Sequence, residues 1–157
     1  MAAVSDHLTV VRAAETDLPV RVALRYQWRV DENGESGRTL KEFEEEFIEW
    51  HARRRNNHHG YLALVDSTAV GCAWLFVVDR IPGPGRFERR SGMVQSVYVQ
   101  PEHRNAGVGA ELVRFIIDEA SLMDPDYLTV HPSAASFDFY GRLGFVNSGR
   151  VLELRFA

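Results

Sequence analysis

The chain is predicted to fold as a mixed α/β domain, and three observations carry that expectation. Apolar runs of strand length alternate with segments of helical periodicity. Glycine- or proline-bearing turns at 31–37 and 81–85 and a polar turn at 66–68 separate them. A strand-like run also ends at Pro101 and passes through Arg104-Asn105-Ala106-Gly107-Val108-Gly109 into an amphipathic segment, the mark of a strand–turn–helix unit. The expected order is strand, two helices, three strands, helix, strand, helix, strand.

The first strand is Leu8-Thr9-Val10-Val11-Arg12. Thr16 or Asp17 caps a helix that has Pro19 in its first turn and runs to about Val30, with Leu18, Val22, Tyr26 and Val30 at helical spacing. Thr39 stands three residues before Glu42, the form of a capping box. The helix that follows carries Leu40, Phe43, Phe47 and Trp50 on one stripe and Glu44-Glu45-Glu46 on its solvated face. Residues 61–65 and 70–78 read as a hairpin around Asp66-Ser67-Thr68, and 93–99 as a further strand. A helix follows from Gly107 to about Met123, with Val108, Leu112, Phe115, Ile116 and Ala120 inward. Residues 127–131 form a short strand, and a short helix over 134–143 ends at Gly144, a helix-terminating glycine. Residues 151–156 alternate like a final strand.

With 157 residues the chain suits one domain, taken as 1–157, that buries about 70% of the surface its unfolded form exposes. Its 45% hydrophobic and 25% charged residues are ordinary for a globular protein. A net charge of −4 argues against a general nucleic-acid binder. The single cysteine, Cys72, lies in an apolar run, which points to packing and excludes an intramolecular disulfide. No stretch approaches the ~18 apolar residues that span a bilayer, and no signal peptide is visible, so the expected location is cytoplasmic. His51, His58, His59 and His103 form no metal-ligand spacing, and no metal is expected.

The glycine turn admits several readings. Gly107 and Gly109 supply two glycines of a dinucleotide fingerprint, but Leu112 holds the third position. No Gly-Lys-Ser/Thr follows, as a P-loop requires. A pyrophosphate turn remains, with inward N–H groups from Asn105 through Ala106, Gly107, Val108 and Gly109 to Ala110, and with Arg104 adding charge. Alternatively, the glycines ease close helix–strand packing.

The pattern V-x-P-x-x-R-x-x-G-x-G, entered from a strand, resembles the coenzyme A signature of the GNAT superfamily of acyl-CoA-dependent N-acetyltransferases. Phe139-Tyr140-Gly141-Arg142-Leu143-Gly144-Phe145 resembles that family's second signature, and the spacing and element order match over nearly the whole chain. The resemblance implies a mostly antiparallel sheet of six to seven strands flanked by about four helices, splayed between strands 4 and 5. It further implies acetyl-CoA as cosubstrate, with its pantetheine arm along the backbone of Val97, Tyr98 and Val99 and its pyrophosphate in the turn at 104–110. Ser133 and Ser136 stand where relatives often carry asparagine and alanine.

By the same resemblance Tyr140 is the acid that protonates the departing sulfur; otherwise it is a packing aromatic beside Phe137, Phe139 and Phe145. His131, at the end of the fifth strand, suits a base through its unperturbed pKa of ~6.5; otherwise it caps the strand end. Glu32 and Glu35 belong to a loop that in relatives closes over the acceptor, where they attract a cationic amine or are simply solvated. Gln95 and Ser96 line the acceptor pocket or relay a proton. The expected activity is acetyl transfer to a primary amine of a small molecule or peptide. The alternative is an acyl-CoA-binding sensor without turnover, a reading helped by the lack of a carboxylate in 93–99. Many relatives dimerise, so a homodimer is compatible with the resemblance.

Overall fold

The computed structural model describes residues 7–156. Among them, five strands form one sheet in sequence order: β1 (Leu8–Arg12), β2 (His58–Val65), β3 (Thr68–Asp79), β4 (Arg90–Val99) and β5 (Leu128–Val130). The first four pair antiparallel and β4 pairs with β5 in parallel. Four α-helices complete the fold: α1 (Leu18–Tyr26), α2 (Leu40–Ala52), α3 (Val108–Ser121) and α4 (Phe137–Arg142).

Both faces of the sheet are covered, which explains why β2 and β3 read as continuous apolar runs rather than alternating ones. On one face Tyr61, Ala63, Ala73, Leu75 and Val94 pack on Val108, Leu112, Ile116 and Ala120 of α3. On the other, Leu62, Cys72 and Tyr98 meet Leu24 of α1, while Trp74 meets Leu18 and Val22, with Phe43 and Phe47 of α2 behind them. Cys72 is thus a core residue, and burial pushes its thiol up to about 12.

The capping box of α2 forms as its sequence requires: the Thr39 hydroxyl accepts from the Glu42 N–H, and the Glu42 carboxylate accepts from the Thr39 N–H at 2.8 Å. The start of α1 differs. A 3₁₀ turn (Glu15–Asp17) precedes it, and the Asp17 carboxylate accepts from the Ala14 N–H at 2.8 Å instead of capping the helix. Beyond Tyr26 the helix widens into a π turn (Gln27–Glu32). Asp66 and Ser67, with φ of 48° and 65°, make the left-handed two-residue turn that a tight hairpin favours.

The expected final strand does not form. Residues 151–156 make no strand pairing among the described residues, and Leu152 and Phe156 are 96% and 90% exposed. Alternation encodes a strand's faces, but a strand exists only where a neighbouring edge accepts its hydrogen bonds. The sheet therefore has five strands among the described residues, not six or seven.

Two irregularities in β4 shape the site. Cys72 pairs with Tyr98 and Trp74 with Gln95, so Ser96 and Val97 together face the single residue Ala73. This is a β-bulge, and Ser96 sits in it with φ of +54°. On the other side, β4 and β5 pair only at Gly92–Leu128, Met93–Thr129 and Val94–Val130. The two strands part just before the bulge, giving the expected splay. Gly92 makes the pairing possible: a Cβ there would lie 2.5 Å from the Leu128 side chain.

Candidate active site

The turn after β4 begins with Gln100, whose N–H donates to the Val70 carbonyl at 2.9 Å, followed by a 3₁₀ turn (Pro101–His103). Asn105 and Gly107 both take left-handed backbone, with φ of 59° and 83°. Gly107 is the N-cap of α3 and has no side chain to bond the first helical N–H groups. The N–H groups of Val108, Gly109 and Ala110 therefore point out of the helix start, where the helix dipole favours an anion by about 0.3–1 kcal/mol. Alternating left- and right-handed backbone adds a concave set of N–H donors. A phosphate group fits this chemistry. Packing does not require the second glycine, since a Cβ on Gly109 would meet the Phe139 ring at 3.6 Å and Val99 at 3.7 Å, ordinary contact distances.

Arg104 is exposed, and its guanidinium is already engaged by the protein. Its Nε donates to the Val99 carbonyl at 2.8 Å and its Nη2 to Glu32 Oε2 at 2.7 Å, while its guanidinium lies over the Tyr98 ring. The Tyr98 hydroxyl donates to the other Glu32 oxygen. Glu32 thus ties the π turn to the end of β4. Desolvation pushes its carboxyl up, but the hydrogen bonds from Tyr98 and Arg104 outweigh this and hold it below the usual range. Glu35 is likewise engaged, by Arg29. Neither carboxylate lines the aromatic pocket described next.

α4 approaches the same end of the sheet. Ser133 and Ser136 bond each other at 3.0 Å in the 3₁₀ turn that leads into it. Tyr140 is 8% exposed, edge-on to Phe139 and Phe145 at 4.9 and 5.6 Å between ring centres. Burial raises its phenol above the ordinary value, so it stays protonated and able to donate near neutral pH. Tyr140 therefore both packs and keeps its proton. His131 follows Val130, the last β5 residue paired with β4, and is exposed.

A pocket of about 400 Å³ opens on the sheet face covered by α1 and α2. Its walls are Phe43, Phe47 and Trp50 of α2 with Trp74 of β3, their rings 5.3–5.5 Å apart in sequence along the wall. His58 of β2 closes one side, edge-on to Trp50 at 4.9 Å. Burial pushes the His58 imidazole below its ordinary value, partly offset by a hydrogen bond to the Arg54 carbonyl. Gln95 and the bulge residue Ser96 form the β4 side. Arg25, Arg38 and Glu46 supply the charges. Arg38 Nε donates to Glu46 Oε2 at 2.7 Å, and Arg25 Nη1 donates to Ser96 Oγ at 2.6 Å.

Sequence reasoning missed most of this wall. The Phe43, Phe47 and Trp50 stripe read as core; all three are half-buried and line the cavity, while Phe43 and Phe47 also pack on the core. Arg25 gave no signal in the sequence, where it is one of several arginines along the first helical segment. The one available hint was three aromatic residues at helical spacing on a helix that also carries a long acidic face.

The family described as Acetyltransferase (GNAT) family matches residues 23–145. No curated protein sequence matches. Several solved structures share the fold. A predicted acetyltransferase from Clostridium acetobutylicum, solved with acetyl-CoA, is 21% identical with a TM-score of 0.74, over 94% of this chain and 96% of that one. An aminoglycoside acetyltransferase from an uncultured soil metagenomic sample, in complex with sisomicin, is 16% identical with a TM-score of 0.75, over 98% of both chains. Glucosamine-6-phosphate N-acetyltransferase from Arabidopsis thaliana is 16% identical with a TM-score of 0.71, over 96% of this chain and 99% of that one.

Proposed function

The chain belongs to the GNAT acetyltransferase family, and from that premise we propose that it transfers acetyl from acetyl-CoA to a primary amine of a small molecule or peptide by direct attack on the thioester. The observation that carries this reading is the coincidence of three features at one end of β4. The strand leaves β5 after Val94, bulges at Ser96 beside an aromatic pocket, and ends in a turn whose helix-start N–H groups have no side-chain cap.

Acetyl-CoA supplies the activated acyl group. The backbone of Val97, Tyr98 and Val99, freed from β5, is the edge offered to the pantetheine arm, and the turn from Arg104 to Ala110 is offered to the pyrophosphate. Arg104 acts there as a brace for the turn through Val99 and Glu32 rather than as a phosphate ligand. Ser133 and Ser136 border the same opening from the α4 side.

The reaction needs a neutral amine. Deprotonating an alkyl ammonium with pKa near ~10.4 costs about 4.6 kcal/mol at pH 7. The amine nitrogen forms a bond to the carbonyl carbon, the carbon–sulfur bond breaks, and the sulfur takes a proton. The nitrogen gives up one proton, so the products are an amide and the free thiol. Tyr140 is assigned the proton donated to sulfur, supported by its protonated, sheltered phenol. His131 is assigned proton uptake, supported by its place where β5 parts from β4.

Release of free thiol from acetyl-CoA in the presence of an amine panel tests the proposal. Amine-dependent, multiple-turnover release is expected. The second reading, an acyl-CoA sensor, draws on Glu46, the carboxylate in the pocket lining, being held by Arg38. Tight acetyl-CoA binding with no turnover on any amine would favour it.

A further inference from the structure

The charge inside the aromatic pocket is unbalanced. Glu46 is committed to Arg38. Arg25 is half-buried, and among the described residues no carboxylate lies within ion-pair distance of it; its hydrogen-bond partner is the neutral Ser96 hydroxyl. Arginine does not shed its charge in a protein, so a guanidinium held this way keeps a standing demand for an anion. Burial, and then the nearby Arg29 charge, push its pKa down, against a smaller opposing pull from Glu35.

The position of Arg25 narrows the anion further. Ser96 is the bulge residue where β4 separates from β5, so Arg25 Nη1, 2.6 Å from its hydroxyl, stands at the edge of the splay. An anionic group held there lies beside the place where the acceptor nitrogen must arrive. The anion and the amine therefore sit close together in the acceptor, and the rest of the molecule extends between Phe43, Phe47, Trp50 and Trp74. A cavity of about 400 Å³ accommodates a body of that size.

We propose that Arg25 is the carboxylate-binding residue of the acceptor site and that the acceptor is of the α-amino-acid class, with an apolar or aromatic side chain in the cage. This rests on the acetyltransferase reading above. It departs from the expectation that Glu32 and Glu35 attract a cationic amine, because these residues are bound to Tyr98, Arg104 and Arg29.

The test is calorimetric binding to the full chain, without donor, of a matched pair: L-phenylalanine and 2-phenylethylamine, which differ by the carboxylate. The expected result is binding of phenylalanine tighter by about tenfold or more, the worth of a charge-assisted hydrogen-bonded pair. Arg25→Met removes that preference and Arg25→Lys keeps part of it, while coenzyme A affinity, measured in parallel, is retained in both. Equal or weaker binding of phenylalanine, an Arg25→Met chain that keeps the preference, or a coenzyme A-competent chain that binds neither probe overturns the proposal. If Arg25→Met does not fold, the wild-type preference and the Arg25→Lys chain decide it. A carboxylate preference in a chain that fails to bind coenzyme A leaves the subsite standing and removes the acetyltransferase reading instead.

Discussion

Arg21 lies directly beneath Gly60: a methyl group on Gly60 would sit 1.7 Å from Arg21 Nη1. The arginine is 1% exposed, its guanidinium 4.5 Å from the centre of the Trp74 ring, and Nη2 donates to the Ala14 carbonyl at 3.4 Å. Nε and Nη1 have no hydrogen-bond partner. This cation is thus stacked through the core rather than paired, and β2 accommodates it only because position 60 lacks a side chain.

Gly60→Ala should therefore destabilise the fold by about 1–3 kcal/mol, the cost of overpacking a site that cannot shift freely. Arg21→Met removes the obstruction and two unpartnered donors, so it should cost much less than a typical core substitution. In the double variant the two changes should not add. Chemical denaturation of the four chains of this cycle measures the coupling, and strict additivity would show that Arg21 moves aside at little cost.

Tyr140→Phe should lower kcat by about 10²-fold, the low end for general acid catalysis, because a thiolate of pKa about 8.5 already leaves tolerably. Affinity for coenzyme A should stay nearly constant, since the ring contacts with Phe139 and Phe145 survive. Steady-state kinetics together with direct coenzyme A titration separate the two effects. Unchanged kcat removes Tyr140 as the acid.

Gly107→Trp should abolish coenzyme A binding in a folded chain. Its left-handed φ of 83° strains any side chain by about 1–2 kcal/mol, and the indole would fill the turn. Gly109→Ala is the packing control: its Cβ meets Phe139 and Val99 at ordinary contact distance, so the thermal midpoint should hold. Retained coenzyme A affinity in a folded Gly107→Trp chain would contradict the pyrophosphate assignment.

Glu32 predicts an acid-stability effect. Its carboxyl pKa is lower in the folded protein than in the unfolded chain, where it is about 4.3. The stabilisation it contributes is therefore fully present above about pH 4.3 and is lost as pH falls through the folded value. Glu32→Gln should be less stable at neutral pH and show a flatter decline on acidification. Urea unfolding from pH 7 down to pH 3 checks this; parallel profiles for the two chains would place the acid sensitivity elsewhere.

His131→Ala should lower kcat/KM by about 10²-fold, the low end of what a positioned general base contributes. A profile of kcat/KM superimposable on the parent removes His131 from proton uptake.

The elements visible in the sequence are those whose signals are local. The Thr39–Glu42 capping box, the Asp66–Ser67 turn, the strand entering Pro101 and the glycine at the start of α3 depend on residues a few positions apart, and each forms. The exposed segment at 151–156 shows the limit of such signals: its alternation is correct for a strand, but pairing needs an edge elsewhere in the fold. The bulge at Ser96 is another case, because nothing in Gln95-Ser96-Val97 announces that two of these residues will face one residue of β3.

By itself the sequence determined the donor half of this protein. The turn and helix start that suit a phosphate group, and Tyr140 before Leu143-Gly144-Phe145, lie in two continuous segments, because the chemistry there uses backbone N–H groups and a single helix turn. Only the tertiary structure decided the aromatic pocket proposed for the acceptor. Arg25 from α1, the α2 aromatics, Trp74 and Ser96 are far apart in the chain and meet because two helices fold over one sheet face. The same packing bound Glu32 to Tyr98 and Arg104, and so decided which charges remained to meet a substrate.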